Sequence, residues 1–221
     1  MRRIALLLGL SLVLSGGSAC GEGDFDENTE NGVSDLPYAW SVISFEPGEG
    51  AGFGSAAMPD VVLGPPDGRG VMSASLEVVS LGDGGEIVLG FGDREIVNEE
   101  GPDFVVFENP FWPQGDAEQV YAELGEVAVS KDGEEWHVFP CEFEPEDLPP
   151  YPGCAGWTPT LRYEAEEVVP LQLEVTGGDG FDLADVGVDR ARYVRIRDVW
   201  GLGEAPSRGF DLDSVGLIHF Q

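Results

Sequence analysis

The sequence predicts an all-β protein, a β-sandwich or jelly roll with long Gly/Pro-rich loops, on three observations. Short runs of alternating apolar and polar residues recur from Pro37 onward, the period-two pattern of half-buried strands. Turn residues separate them: Gly 32 and Pro 16 in 221 residues suit a turn-rich β protein better than a helical one. No window of helical length carries a sustained 3.6-residue period. Roughly eight or nine strands between such turns fit a sandwich or jelly roll.

The elements follow in order. Tyr38 to Phe45 alternates and reads as the first strand. Gly48 to Gly70 reads as long loops at one end of the sandwich. Leu76 to Leu81 reads as a strand, Gly82-Asp83-Gly84-Gly85 as a tight turn, and Glu86 to Phe91 as its hairpin partner. Phe104 to Phe107 is uninterrupted and apolar, as a central strand would be. Glu126 to Ser130 and Glu134 to Phe139 flank Lys131-Asp132-Gly133, a second hairpin signal. Val168 to Val175 is a strand candidate interrupted by Pro170. A short helix fits around Ala184, with Asp182 or Asp185 near its start. Arg192 to Arg197 alternates charged and apolar residues, and Ser214 to Phe220 reads as the last strand. The pattern G-F-D-L-x-x-V-G occurs at Gly180 to Gly187 and again at Gly209 to Gly216. Two copies fall short of a solenoid and read as similar loop-to-strand entries, each with an Asp placed to bond turn amides.

The first residues predict export. Arg2 and Arg3 precede an apolar run from Ile4 to Leu14, then Ser15-Gly16-Gly17-Ser18-Ala19 and Cys20. This is the layout of a secretory signal, and the run is shorter than the roughly 20 apolar residues a bilayer span needs. Gly17-Ser18-Ala19-Cys20 resembles a bacterial lipobox, whose cysteine carries the lipid; it departs at Gly17, where that pattern usually has Leu. The alternative is ordinary cleavage after Ala19. Gly21 to Asp35 is glycine-rich and acidic, the composition of a tether. Its Asp24-x-Asp26-x-Asn28 opening has Thr29 where a calcium loop needs Gly, and no flanking helices, so it reads as tether. The expected layout is a signal over 1–19, a lipid-attachment cysteine and tether over 20–36, and one sandwich domain over 37–221.

The formal net charge is −31, with 42 acidic and 11 basic residues, and removing 1–19 takes away two arginines and no acid. Such a surface excludes nucleic acid as a partner and draws divalent cations and basic partners. Cys141 and Cys154 bracket a loop containing Pro145, Pro149, Pro150 and Pro152. In an oxidising compartment they read as a disulfide, supplying roughly 3 kcal/mol by the chain-entropy model. A metal or redox pair fits less well, because the spacing is far from C-x-x-C.

At this point several segments resemble a known group. Glu126 to Trp136 is similar to the V-S-x-D-G-x-x-W hairpin of discoidin-like, galactose-binding-type β-sandwiches. Ala191 to Ile196 and Phe210 to Val215 resemble late strands of that fold. Together with Leu81 to Val88, Gly101 to Asn109 and Phe181 to Val186, the set looks like a group of bacterial cell-surface lipoproteins. The resemblance covers most of Trp40 to Phe220. It implies a fold and a location at the cell envelope. Discoidin-like domains bind sugars, lipids or proteins through loops at one end, and many relatives carry calcium.

Candidate chemistry rests on acids and aromatics. Asp103, Glu108 and Asn109 flank the apolar strand, Asp211 and Asp213 alternate, and Asp182 and Asp185 occupy the related loop. Oxygen donors of this kind suit Ca²⁺, and burying several acids together is costly without a cation; the alternative is that each caps a turn. Trp112, Trp157 and Trp200 lie in loops and offer flat faces for a ligand, or else cover the ends of the core. Trp40 and Trp136 lie on strands and read as core. His137 and His219 sit in strands without a nucleophile motif such as G-x-S-x-G. The expected function is a lipid-anchored binding or adhesion module for carbohydrate or another surface ligand, with Ca²⁺ stabilising it. The alternatives are a carbohydrate-active hydrolase using paired carboxylates and a structural envelope lipoprotein.

Overall fold

The computed structural model describes residues 36–144, 148–165 and 168–221. The segment read as an export signal, Cys20 and the acidic stretch through Asp35 lie outside them, as does Pro145 of the bracketed loop. The described chain is all-β, with twelve strands, a few short 3-10 turns and a single one-turn α-helix, α1 (Leu173–Thr176). Five of the strands are two residues long, too short for alternation to reveal.

Two sheets face one another. The larger is antiparallel, in the order β1 (Ser41–Glu46), β3 (Glu86–Gly90), β11 (Tyr193–Asp198), β6 (Gly125–Ser130), β7 (His137–Val138), with β8 (Cys154–Ala155) also on β6. The smaller runs β2 (Val79–Ser80), β12 (Asp211–Leu217), β5 (Phe104–Glu108), β9 (Asp179–Phe181). A short pair, β4 (Ile96–Val97) and β10 (Arg190–Ala191), lies apart from both. Ile87, Leu89, Val127, Val129, Val194 and Ile196 from one sheet share a core with Phe104, Val106, Leu212, Val215 and Leu217 from the other. Alternation thus does its expected work in β3, β6 and β11.

β5 does not alternate because both its faces are covered. Phe104 and Val106 enter the main core, while Val105 and Phe107 pack against Tyr38, Ala165 and Leu171 outside the sheet. An uninterrupted apolar run is what burial on both faces requires.

The structure revises several expectations. The turn at Gly82 to Gly85 does not close a hairpin: β2 pairs with β12, and β3 with β1 and β11, so the chain changes sheets there. Asp198 holds this crossing by accepting N–H bonds from Gly84 (3.0 Å), Gly201 (2.9 Å) and Phe210 (3.0 Å). The hairpin around Lys131 forms as β6 and β7. Val168 to Val175 makes no strand; its end turns into α1 instead. Around Ala184 the helix is a 3-10 turn, Leu183–Val186, capped by the Asp182 carboxylate. The two G-F-D-L copies diverge after their Phe: Asp182 caps that turn, whereas Asp211 begins β12. Trp40 is 41 % exposed, not core, and Trp136 lies under Arg195 at 4.7 Å on the outer face. Cys141 and Cys154 form a disulfide, their Cα atoms 4.5 Å apart. No helix of the described residues is long and apolar enough to cross a membrane.

Candidate functional site

β5 and β12 are antiparallel neighbours in the register Glu108 to Leu212. The last residue of β5 and the first of β12 therefore sit at one end of the sandwich. Glu108 and Asp211 occupy those positions, and Glu123 reaches them from the chain entering β6 in the opposite sheet. Each offers a carboxylate oxygen, and the three lie within 4.8 Å of one another. All are buried: Glu108 is 2 %, Glu123 4 % and Asp211 5 % exposed.

The loops can reach Glu123 because glycines line their approach. Gly156 has φ +94, and a Cβ there would meet the Glu123 carbonyl oxygen at 2.1 Å. Gly203 has φ +82, and its Cβ would stand 3.1 Å from Glu123 Oε1. Both conformations favour glycine.

Hydrogen bonds satisfy Asp211 better than its neighbours. Ser80 Oγ donates to its Oδ1, Ser207 Oγ to Oδ2 at 3.3 Å, and Asn109 Nδ2 to Oδ2 at a long 3.5 Å. The Asp211 N–H points to Glu108 Oε1 at 3.4 Å. Glu108 Oε2 and Glu123 Oε1 have no donor among the described residues. None of the ion pairs among those residues reaches the three acids; Arg208, close in sequence, pairs with Asp83 at 2.7 Å.

Burial pushes all three carboxyls up. Glu108 rises well above the ordinary range through desolvation, then through the Asp211 and Glu123 charges. Glu123 is pushed up to about 8 by burial and by Asp211 and Asp198. Asp211 is raised by burial against the lowering effect of its Ser80, Ser207 and Asn109 bonds. The neighbouring Tyr121 hydroxyl is raised by burial, then by Glu123, Asp211 and Glu108. Converging buried acids without donors or basic partners are costly as anions. A cation removes that cost. With only oxygen donors on offer, it would be a hard cation.

Of the oxygen-bearing side chains singled out from sequence, the acids Glu108 and Asp211 and the amide Asn109 meet here. The others do not. Asp103, at the far end of β5, accepts from the amides of Glu99 and Leu183 (2.9 and 2.8 Å) and faces His219 Nδ1 at 2.9 Å. Asp182 bonds Ala184 N–H at 2.8 Å, and Asp185 is exposed. Asp213 sits at the bulge in β12 between Leu212 and Ser214 and accepts from Asp67 N–H at 3.2 Å.

Glu123 was missed by sequence reasoning. Its signal is an acid inside the otherwise apolar Val120-Tyr121-Ala122-Glu123-Leu124. Both flanking residues, Ala122 and Leu124, are buried, so the carboxylate is carried inward with them.

The tryptophans separate. Trp112 and Trp157 line one cavity of about 270 Å³ with Val120, Pro150 and Pro159. Trp200 packs on Phe143 and Tyr151, with ring centroids 5.1 and 6.2 Å away, and covers the small core of Ala122, Leu124 and Cys154.

Asp213 yields a pH prediction apart from the cluster. Burial pushes it up to about 8, and its Oδ2 has no donor among the described residues. Its folded value lies above the unfolded one, so its stabilisation is complete below about pH 4 and is lost as pH rises through about 8. Melting curves of Asp213→Asn and wild type are expected to diverge in the variant's favour as pH rises across that window. A constant difference at every pH would refute this.

No family model matches the sequence, and no curated protein matches it.

Proposed function

We propose that this chain is an exported surface binding or adhesion module for carbohydrate or another surface ligand. In this reading lipid on Cys20 anchors it, and one Ca²⁺ bound by Glu108, Glu123 and Asp211 braces its loop end. The observation that carries the reading is the meeting of three buried carboxylates, two from the smaller sheet and one from the chain entering β6, within 4.8 Å. Ca²⁺ takes six to eight oxygens at about 2.3–2.6 Å, so oxygens on one ion stand up to about 5 Å apart. The spacing is within that span. Mg²⁺ suits the site less, because it demands a near-ideal octahedron and gives up its water reluctantly.

Paired-carboxylate hydrolysis is the weaker reading. It needs separations of roughly 5–9.5 Å and room for a sugar between the two groups. These three acids are closer than that, and Glu108 is 2 % exposed. The resemblance of Glu126 to Trp136 to galactose-binding-type sandwiches, and the stacked Phe111 and Tyr121 beside the acids, support binding over chemistry.

Calorimetric titration of the full chain tests the cation. One Ca²⁺ per chain is expected, with the heat lost in Glu123→Gln; no heat at matched ionic strength overturns the site. Fractionation tests the anchor. Cys20→Ser is expected to move the protein from the membrane to the soluble fraction, and equal retention overturns lipidation.

A further inference from the structure

A cavity of about 240 Å³ opens beside the three acids. Glu123, Asp211 and Asn109 form its polar wall, while Phe53, Phe111 and Tyr121 form its apolar one. Glu108 is not among the lining residues and stands behind the other two.

Counting donors shows why this matters. Asp211 Oδ1 is engaged by Ser80, and its Oδ2 by Ser207 and Asn109. Glu108 Oε2 and Glu123 Oε1 are the oxygens left without donors among the described residues. Even with every carboxylate oxygen counted, the three side chains reach only the lower bound of the roughly six to eight oxygens Ca²⁺ requires. Glu123 and Asp211 line the cavity, so an occupant of it can supply the remaining oxygens.

The opposite wall is a prepared aromatic face. Phe111 and Tyr121 form an antiparallel bridge, Tyr121 N–H to Phe111 O at 2.9 Å and the reverse at 3.3 Å. Their rings stack at 5.4 Å with an interplanar angle of 25°. Tyr121 is nevertheless 47 % exposed. An ordered ring pair left open to solvent loses little entropy when something covers it.

We propose that the cation also ligates the module's ligand: two adjacent hydroxyls of a pyranose ring complete its shell, while the ring's C–H face lies on Phe111 and Tyr121. This rests on the cation reading of the same carboxylates. A neutral polyol suits the site because hydroxyls can replace coordinated water. An anionic ligand would meet a chain of net charge −31. The cavity lies below the roughly 300–1,000 Å³ of drug-sized pockets, which suits one ring and not an extended chain.

Saturation-transfer NMR on the full chain tests this, using methyl pyranosides of differing vicinal-diol stereochemistry, with Ca²⁺ and with chelator. At least one pyranoside is expected to bind with Ca²⁺ and be lost with chelator and in Glu123→Gln. Tyr121→Ala should weaken sugar binding by about tenfold, the order expected for one lost aromatic contact, with Ca²⁺ affinity unchanged. Tyr121→Phe, which keeps the ring, should bind like wild type. Trp112→Ala should also leave binding unchanged. Three results overturn the proposal while leaving the cation site standing: Ca²⁺ binds and no pyranoside does, sugar binding survives chelation, or it is lost in Trp112→Ala and kept in Tyr121→Ala. If Ca²⁺ alone gives no heat, the cation reading fails first, and the proposal falls with it.

Discussion

Glu108→Gln is expected to raise the melting temperature of the cation-free chain and to make it indifferent to Ca²⁺. Glu108 is buried at 2 % exposure, its Oε2 has no donor among the described residues, and its pKa is pushed well up by burial and by Asp211 and Glu123. Gln keeps an oxygen for the Asp211 N–H and removes the charge. Its amide can donate toward the neighbouring carboxylates, where the acid offered repulsion. In the wild type, Ca²⁺ at 1,000 times Kd should contribute about 4.1 kcal/mol by mass action; the variant should lose most of that.

The pH dependence should follow the same acids. Folded values above unfolded ones mean the cation-free fold holds the extra protons. Its stability is therefore complete below about pH 4.5 and falls as pH rises through about 8, the range set by Glu123. Bound Ca²⁺ should flatten the slope by taking the protons' place. Thermal melts at fixed ionic strength decide both points. An equal Ca²⁺-dependent rise in variant and wild type would show that the ion acts elsewhere or only screens charge.

Phe104→Ala is expected to cost about 3–5 kcal/mol, a large share of the roughly 5–15 kcal/mol that holds a domain together. Phe104 is fully buried in β5. It stacks on Phe181 at 5.3 Å and meets the edge of Phe139 at 5.9 Å, while Phe139 and Phe181 are 5.0 Å apart. These rings come from β5 and β9 of the smaller sheet and from the loop after β7, so one truncation opens a cavity where three elements meet. Denaturant midpoints of variant and wild type measure the loss. A change under about 1 kcal/mol would mean the site collapses around the missing ring more fully than close-packed cores usually do.

Much of this fold is legible in the sequence because its information is local. The alternation of Tyr193 to Arg197 specifies which face of β11 is buried. The unbroken run Phe104 to Phe107 signals a strand covered on both sides, and Lys131-Asp132-Gly133 turns the chain back on itself. The cysteines pair as expected for two cysteines that bracket a proline-rich loop. What failed locally failed for a stated cause. The turn at Gly82 to Gly85 looks like a hairpin, but partner choice is not a property of the turn. Phe210, Arg208 and Asp198 supply the bonds that send β2 and β3 to different sheets.

The candidate site divides in the same way. That acids near the end of β5 and the start of β12 would matter is readable in Glu108, Asn109 and Asp211, because a charge beside a buried apolar run needs a partner. Which acids meet is not readable. Asp103 immediately precedes the strand that ends in Glu108, and the length of that strand puts it at the other end, where two amides and His219 satisfy it. Asp213 lies two residues from Asp211, yet the bulge after Leu212 takes it to Asp67 instead. Glu123 comes from the chain entering β6, and only the packing of the two sheets sets it against the others. Sequence by itself determined the longer strands, their buried faces and the stock of acids. The tertiary structure decided which carboxylates would be left without donors in one place, because convergence depends on distances across the sandwich that no local pattern encodes.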